Sequence, residues 1–247
     1  MINFPAPPLC FNCCKLRIKG SGRNYEVLIM LKFYYSRLSI NARRVWVTLL
    51  EKKLEFEPIL LKLNGDQFQP NFLELNPFHH IPVLVDRDLK IFESLAILDY
   101  LEAKFPDPSF MPANAEDIAK VRMIELVTLN ELPPASIVLM KEMLDIPVEE
   151  QKIKQARQSM ATVLQYFEVS LPEDRVYFVK EKLTYADIVA GTAVAAIPNL
   201  GISLEPYSKV TKWLENLNQR SSWQQTAPSS AEIERSKTIM KAILQNR

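Results

Sequence analysis

Residues 29–35 run apolar and aromatic, interrupted only by Lys32, which is the length and character of a largely buried strand. Ala42, Val45, Trp46, Leu49 and Leu50 then recur at helical spacing. Lys52 and Lys53 follow where a helix C-terminus favours cations. Residues 56–63 read as a second strand, closed by the turn dipeptide Asn64-Gly65. A strand, a helix and a strand in so short a span predict a βαβ unit with a parallel pair. Residues 82–85 and 89–92 flank the polar Asp86-Arg87-Asp88 and predict a hairpin. Pro82 stands at a strand start, where its missing N–H costs least. From Glu93 the spacing of Leu98, Leu101 and Phe105 is helical, and Phe105-Pro106-Asp107-Pro108 ends that helix.

Beyond Ala113 strand-like alternation stops and helical periodicity takes over to the last residues. Pro133-Pro134 interrupts one long helical stretch and predicts either a kink or a break. Thr184 with Asp187 forms a variant capping box, with Leu183 and Ile188 placed as its hydrophobic staple. The helix they start, residues 188–197, is small and apolar all round and belongs in a domain centre. Trp213 and Trp223 fall in later amphipathic turns as core. The expected organisation is an α/β domain over residues 30–106 and an all-helical domain over residues 114–247.

Composition narrows the function classes. A chain of 247 residues with 48% hydrophobic side chains has room for two domains and a sizeable core. A formal net charge of +1 gives no general pull toward nucleic acid or an anionic membrane, and neither is an expected partner. The adjacent Arg43 and Arg44 are read as solvated or paired rather than as a binding patch. No run of eighteen apolar residues occurs, which argues against a membrane-spanning helix. The three cysteines, Cys10, Cys13 and Cys14, all lie near the N-terminus, so a disulfide framework is not expected; a reducing, cytoplasmic setting is. The C-x-x-C spacing from Cys10 lacks a second ligand pair and a flanking βα pattern and is read as chance. Residues 1–29, broken by Pro5, Pro7 and Pro8, make no signal peptide. They read as a disordered extension or as lying upstream of a functional start at Met30, with a transit peptide the weaker alternative.

Several chemistries fall away. The two histidines, His79 and His80, are adjacent, so no His-rich metal site can be assembled and no metal is expected. Five scattered glycines match neither a phosphate loop nor a dinucleotide fingerprint, and no G-x-S-x-G elbow is present. What remains is a proline opening the third strand, an acidic–hydroxyl pair opening the helix after the hairpin, and a helical half behind. With His79-His80-Ile81-Pro82 and Glu93-Ser94, the chain resembles the cytosolic glutathione transferases, in particular the theta- and delta-like, bacterial-like serine-type members.

That resemblance implies a thioredoxin-like βαβ–ββα domain followed by an all-helical domain, glutathione as co-substrate, and a homodimer. It also implies a small hydrophobic electrophile held between the domains. In the family the proline matching Pro82 is cis, and Ile81 then offers its N–H and C=O to the cysteinyl part of glutathione, as a strand edge pairs with a peptide. An ordinary trans proline at an edge strand is the alternative. Ser94, at a helix start, would take the γ-glutamyl carboxylate and Glu93 the ammonium; simple helix capping is the bland reading. His79 matches a family histidine near the glycyl carboxylate, and His80 is left to solvent. Many relatives carry arginine after the serine, where this chain has Leu95.

Ser39 matches the serine that activates the thiol. It could instead be only an N-cap, and Ser36 or the strand-end tyrosines Tyr34 and Tyr35 are rivals. Met140 and Met143 suit either an adaptable pocket lining or the core. The implied reaction is conjugation of the glutathione thiolate to small hydrophobic electrophiles, an enzyme of the transferase type acting in detoxification. Isomerisation, dehalogenation or peroxide reduction on the same fold is one alternative, and a non-catalytic binding protein another. The lack of cysteine after Cys14 argues against members that work through their own thiol.

Overall fold

β1 (Leu31–Tyr35) buries Leu31, Phe33 and Tyr35 on one face. On the other, Lys32 reaches solvent and pairs with Glu57 at 4.0 Å, so this strand is covered less completely than its apolar character predicts. The computed structural model describes residues 31–62, 65–179 and 181–245; the readings of residues 1–29, of a start at Met30 and of the three cysteines lie outside these. α1 (Ile40–Glu51) buries Ala42, Val45, Val47 and Leu49 in the core. β2 (Phe56–Leu60) pairs parallel to β1, from Leu31 against Phe56 to Tyr35 against Leu60. It stops three residues short of the predicted end, because the Lys62 N–H is captured by the Asp66 carboxylate at 2.8 Å. A 3-10 turn at Asp66–Phe68 and the short α2 (Pro70–Leu73) follow.

β3 (Val83–Asp86) and β4 (Leu89–Phe92) form the predicted hairpin, and β3 lies antiparallel beside β1. The sheet order is β2-β1-β3-β4, with α3 (Ser94–Lys104) closing the thioredoxin-like half. The helical half begins with α4 (Ala115–Met143), which continues through Pro133 and Pro134 as one helix. Burial of Leu132, Ala135 and Leu139 holds the tract, and the Ser136 hydroxyl donates to the Leu132 carbonyl. The break is therefore not realised. By length and apolarity α4 could cross a membrane, but its buried stripe of Val121, Ile124, Leu132 and Leu139 belongs to the protein core.

α5 (Glu150–Ser170) and α6 (Tyr185–Val194) follow; every residue of α6 is buried. The Thr184 N–H and hydroxyl both donate to Asp187, at 2.9 and 2.8 Å, at the predicted capping box. Gly191, at the centre of α6, lets Leu217 pack close, since a Cβ there would meet Leu217 Cδ1 at 2.5 Å and push it aside. A 3-10 turn at Ile197–Leu200 leads to α7 (Ser208–Asn218), α8 (Ser221–Thr226) and α9 (Ser230–Gln245). Trp213 and Trp223 are core residues, as expected.

One apolar core runs through both halves, and a set of buried cations joins them. Lys52 does not serve as an exposed cation at the α1 terminus. Its ammonium is buried and donates to the carbonyls of Phe105 and Pro108, both at 2.8 Å, and pairs with Glu102 at 2.9 Å. Arg43 and Arg44 are likewise not solvated. Arg43 donates to Thr226 Oγ1 and the Trp223 carbonyl, each at 3.3 Å. Glu51 receives Arg220 through Nε at 2.9 Å and Nη2 at 2.6 Å, and Ser222 besides. α1 is thus fastened to α8, and the segment it carries at its start is fixed accordingly.

Candidate functional site

The sheet register brings the predicted residues to one end. Tyr34 of β1 pairs with Val83 of β3, and Val83 pairs with Phe92 of β4. Neighbouring strands lie about 4.8 Å apart, and β3 runs opposite to both of its neighbours. The loop that follows β1 toward Ser39, Ile81-Pro82 before β3, and Glu93-Ser94 after β4 therefore leave the sheet at the same edge. β2, parallel to β1, ends there too; the turn after it places the Phe68 ring 5.0 Å from that of His79.

Ser39 is the N-cap of α1, in extended backbone, and its oxygen accepts the Ala42 N–H at 3.2 Å. Accepting that bond leaves the hydroxyl proton free to be donated elsewhere, so capping and contact with a thiolate are compatible. Ser36 is buried and gives its carbonyl to the Ser39 N–H at 3.1 Å. Tyr35 is buried, with ring centroids 5.2 Å from Phe33 and 4.8 Å from Trp46. Burial pushes its phenol above the ordinary range, with Arg37 opposing, which suits it poorly to work as a phenolate. Tyr34 is half-buried on the opposite face, against Phe72.

The Ile81–Pro82 bond is cis. The β1–β3 pairing begins at Val83, so the Ile81 backbone lies beyond the ladder. The loop before it is held by Asn76, wholly buried, whose amide donates to the His80 carbonyl at 2.9 Å and whose carbonyl oxygen accepts the Phe78 N–H at 3.0 Å. His79 has a φ of 59°, unusual for a residue with a side chain, and its buried Nδ1 has no partner. Gln67 Oε1, in the turn after β2, is buried and unpartnered as well. His80 is exposed.

Glu93 sits at the N-cap position of α3 with φ 67°, is exposed, and makes no side-chain capping bond. Plain capping by Glu93 is therefore not what the geometry contains. The first helical bond of α3 runs from the Ile97 N–H to the Glu93 carbonyl at 3.0 Å. Three earlier N–H groups thus precede the ladder at the positive end of the helix, a setting suited to a carboxylate. Ser94 is buried beneath them and accepts from Arg44 Nη1 at 3.4 Å. Leu95, where many relatives carry arginine, packs against the core; the guanidinium beside Ser94 comes instead from α1. Burial brings Arg44 down to about 10, with Glu125 opposing. Burial pushes the Glu125 carboxyl up, countered by Arg122 at 2.8 Å.

Met140 is partly buried and packs on the core, the second of its two expected roles, while Met143 is 38% exposed. Asn76, and the place of Arg44 beside Ser94, were not expected from the sequence. The turn-forming Asn76-Pro77 was a usable signal for the first; nothing local marks the second. Among the described residues no cluster of His, Cys, Asp and Glu is arranged to hold a metal ion.

Comparison with known proteins bears on both halves. Residues 33–109 match the glutathione S-transferase N-terminal domain and residues 128–221 the C-terminal domain. Glutathione S-transferase 3 of Zea mays is 32% identical over 209 residues, covering 79% of this chain and 92% of the relative. Glutathione S-transferase F10 of Arabidopsis thaliana is 28% identical over 215 residues, covering 80% and 97%. Among solved structures, a glutathione S-transferase from Rhodospirillum rubrum F11 superposes with a TM-score of 0.70 at 27% identity, covering 81% of this chain and 93% of that one. Ure2p in complex with glutathione gives a TM-score of 0.74 at 20% identity, covering 81% and 99%, a likeness of fold alone.

Proposed function

The chain belongs to the glutathione S-transferase family, and from that premise we propose that it is a serine-type, theta- or delta-like glutathione transferase. It joins the glutathione thiolate to small hydrophobic electrophiles. The observation that carries this reading is the convergence of Ser39, Ile81-Pro82 and Glu93-Ser94 at one edge of the sheet, through the Tyr34–Val83–Phe92 register.

The γ-glutamyl carboxylate lies at the α3 N-terminus above Ser94, and Glu93 takes the ammonium. The backbone of Ile81 pairs with the cysteinyl residue, and His79 meets the glycyl carboxylate. The cysteinyl thiol then lies toward Ser39, whose hydroxyl donates to the thiolate. With an aryl halide, the sulfur attacks the carbon bearing the halogen, the halide leaves, and the thiol proton passes to solvent.

Ionisation is only part of the rate. A free thiol of pKa about 8.5 is roughly 7% ionised near pH 7.4, and lowering it by about 2 units gives roughly 90%. A Brønsted slope of about 0.4–0.5 removes much of that roughly twelvefold gain, since the more acidic thiol is the poorer nucleophile. Holding the electrophile against the sulfur must supply the rest. The same proposal places the enzyme in the cytoplasm as a homodimer. Exposed Phe78, Met123 and Leu126 are candidates for the subunit contact, to be checked by sedimentation.

Calorimetric titration with glutathione tests the site. The wild type is expected to bind, and the Glu93→Ala, Ser94→Ala double variant to lose at least about 30-fold in affinity, the equivalent of two charge-assisted contacts. Unchanged affinity in the double variant would remove these residues from the site.

A further inference from the structure

Two arginines flank Ser39, and both reach the same distant stretch of chain. On one side Arg43 holds Thr226 and the Trp223 carbonyl. On the other, Arg37 donates through Nη2 to the Ala227 carbonyl at 2.9 Å, and its Nε pairs with Glu232 at 2.6 Å. The Arg37 guanidinium also lies 5.3 Å from the Trp46 ring of α1. Glu232 is itself fixed. Its second oxygen accepts the N–H and the hydroxyl of Ser229, both at 2.8 Å, and so caps α9. The far end of α9 is anchored separately, where Leu244 packs with Leu144 and Ile146 beside Met140 and Met240.

Helix α9 is thus fastened at its start to the loop that carries Ser39 and at its end to the C-terminal turns of α4. We propose that Arg37 is a positioning residue for Ser39, and that its pairing with Glu232 couples the seating of α9 to activation of the thiol. This rests on the reading of Ser39 as the activating hydroxyl. The loop is short: the Ser39 N–H bonds the Ser36 carbonyl at 3.1 Å and the Ser39 carbonyl accepts the Arg43 N–H at 2.8 Å. A shift of Arg37 is therefore transmitted to Ser39 through two peptide units. The pair also balances charge. Arg37 and Arg43 are close enough that Arg37 adds to the burial that brings Arg43 down to about 10. Loss of Glu232 leaves two guanidinium groups flanking the serine without a carboxylate on Arg37, while loss of Arg37 frees the start of α9.

The coupling is tested by a double-mutant cycle in the full chain, Arg37→Gln against Glu232→Gln. The readouts are kcat and KM with an aryl halide, glutathione affinity by calorimetry, and the ionised fraction of bound glutathione by thiolate absorbance. Each single variant is expected to lower kcat and the ionised fraction, kcat by about 10-fold, with glutathione affinity within about twofold. The double variant should stay near the singles rather than near the roughly 100-fold product. Arg37→Lys, which keeps the charge and one hydrogen bond, should recover most of kcat. Glu234→Gln, which breaks an exposed pair with Lys237 one turn away, should change nothing. Should Arg37→Gln fail to fold, Arg37→Lys and Glu232→Gln carry the test. Independent, multiplying effects, or a loss confined to glutathione affinity, would overturn the coupling. Undiminished turnover in Ser39→Ala would overturn the activation reading and this inference with it. Loss in Ser39→Ala with none in the Arg37 and Glu232 variants would overturn this inference alone.

Discussion

Arg44 Nη1 lies 3.4 Å from Ser94 Oγ, with both side chains buried between α1 and the start of α3. A guanidinium from the first helix thereby steadies the residue that opens the third. It also balances Glu125, buried on α4. Arg44→Met is expected to cost about 3 kcal/mol of stability, as removal of one member of a buried ionic group does. It should also raise the KM for glutathione about 3–10-fold at nearly constant kcat, since it acts on binding rather than on the thiol. Urea unfolding and steady-state kinetics check the two parts.

Much of this was legible in the sequence, and the failures share a cause. The apolar run over residues 29–35, the polar turn before Leu89, and the Thr184–Asp187 spacing are local patterns, and each marked an element that forms, although the run did not show that Lys32 would face solvent. Arg43 and Arg44 could be read only as solvated or paired, and Lys52 only as suiting the α1 terminus, because their partners lie far along the chain, 183 residues away between Arg43 and Thr226. Periodicity registers neither the partner nor the burial. The positive φ at His79 and Glu93 was equally invisible, since neither is the glycine or asparagine that ordinarily marks such backbone. Candidate residues could be named from spacing and resemblance; the polar joint that fixes them could not.

Glu51 links stability to pH. Burial resists its ionisation, but hydrogen bonds from Arg220 and Ser222 outweigh that and hold its carboxyl below the usual range. A carboxyl depressed in the folded state stabilises the protein above its unfolded pKa, near 4.3, and that contribution is lost as the pH falls through the folded value. At pH 7 Glu51→Gln should cost about 2 kcal/mol, or roughly 4–8 °C in Tm for a chain of this size. As the pH falls through the folded value, below the ordinary carboxylate range, the two melting temperatures should converge. A difference that persists unchanged into acid would show that the pairing is not the origin.

Asp187 is buried and accepts four hydrogen bonds: two from Thr184, one from the Phe178 N–H at 3.0 Å and one from Trp213 Nε1 at 3.1 Å. Asp187→Ala strands all four donors and should destabilise by about 3–5 kcal/mol. Protein that still folds should bind glutathione normally, because these bonds serve α6 and not the site. Equilibrium unfolding beside calorimetry separates the two effects.

Turnover of an aryl halide with glutathione, wild type beside Ser39→Ala, with glutathione binding measured on both, tests most directly whether this chain activates the thiol through Ser39. Activation by the Ser39 hydroxyl predicts a kcat lower by about 100-fold in the variant, with glutathione affinity within about threefold, as for an interaction made with the reacting thiolate. A variant that turns over as fast as the wild type, or a wild type that binds glutathione and turns over none of the electrophiles offered, would contradict it.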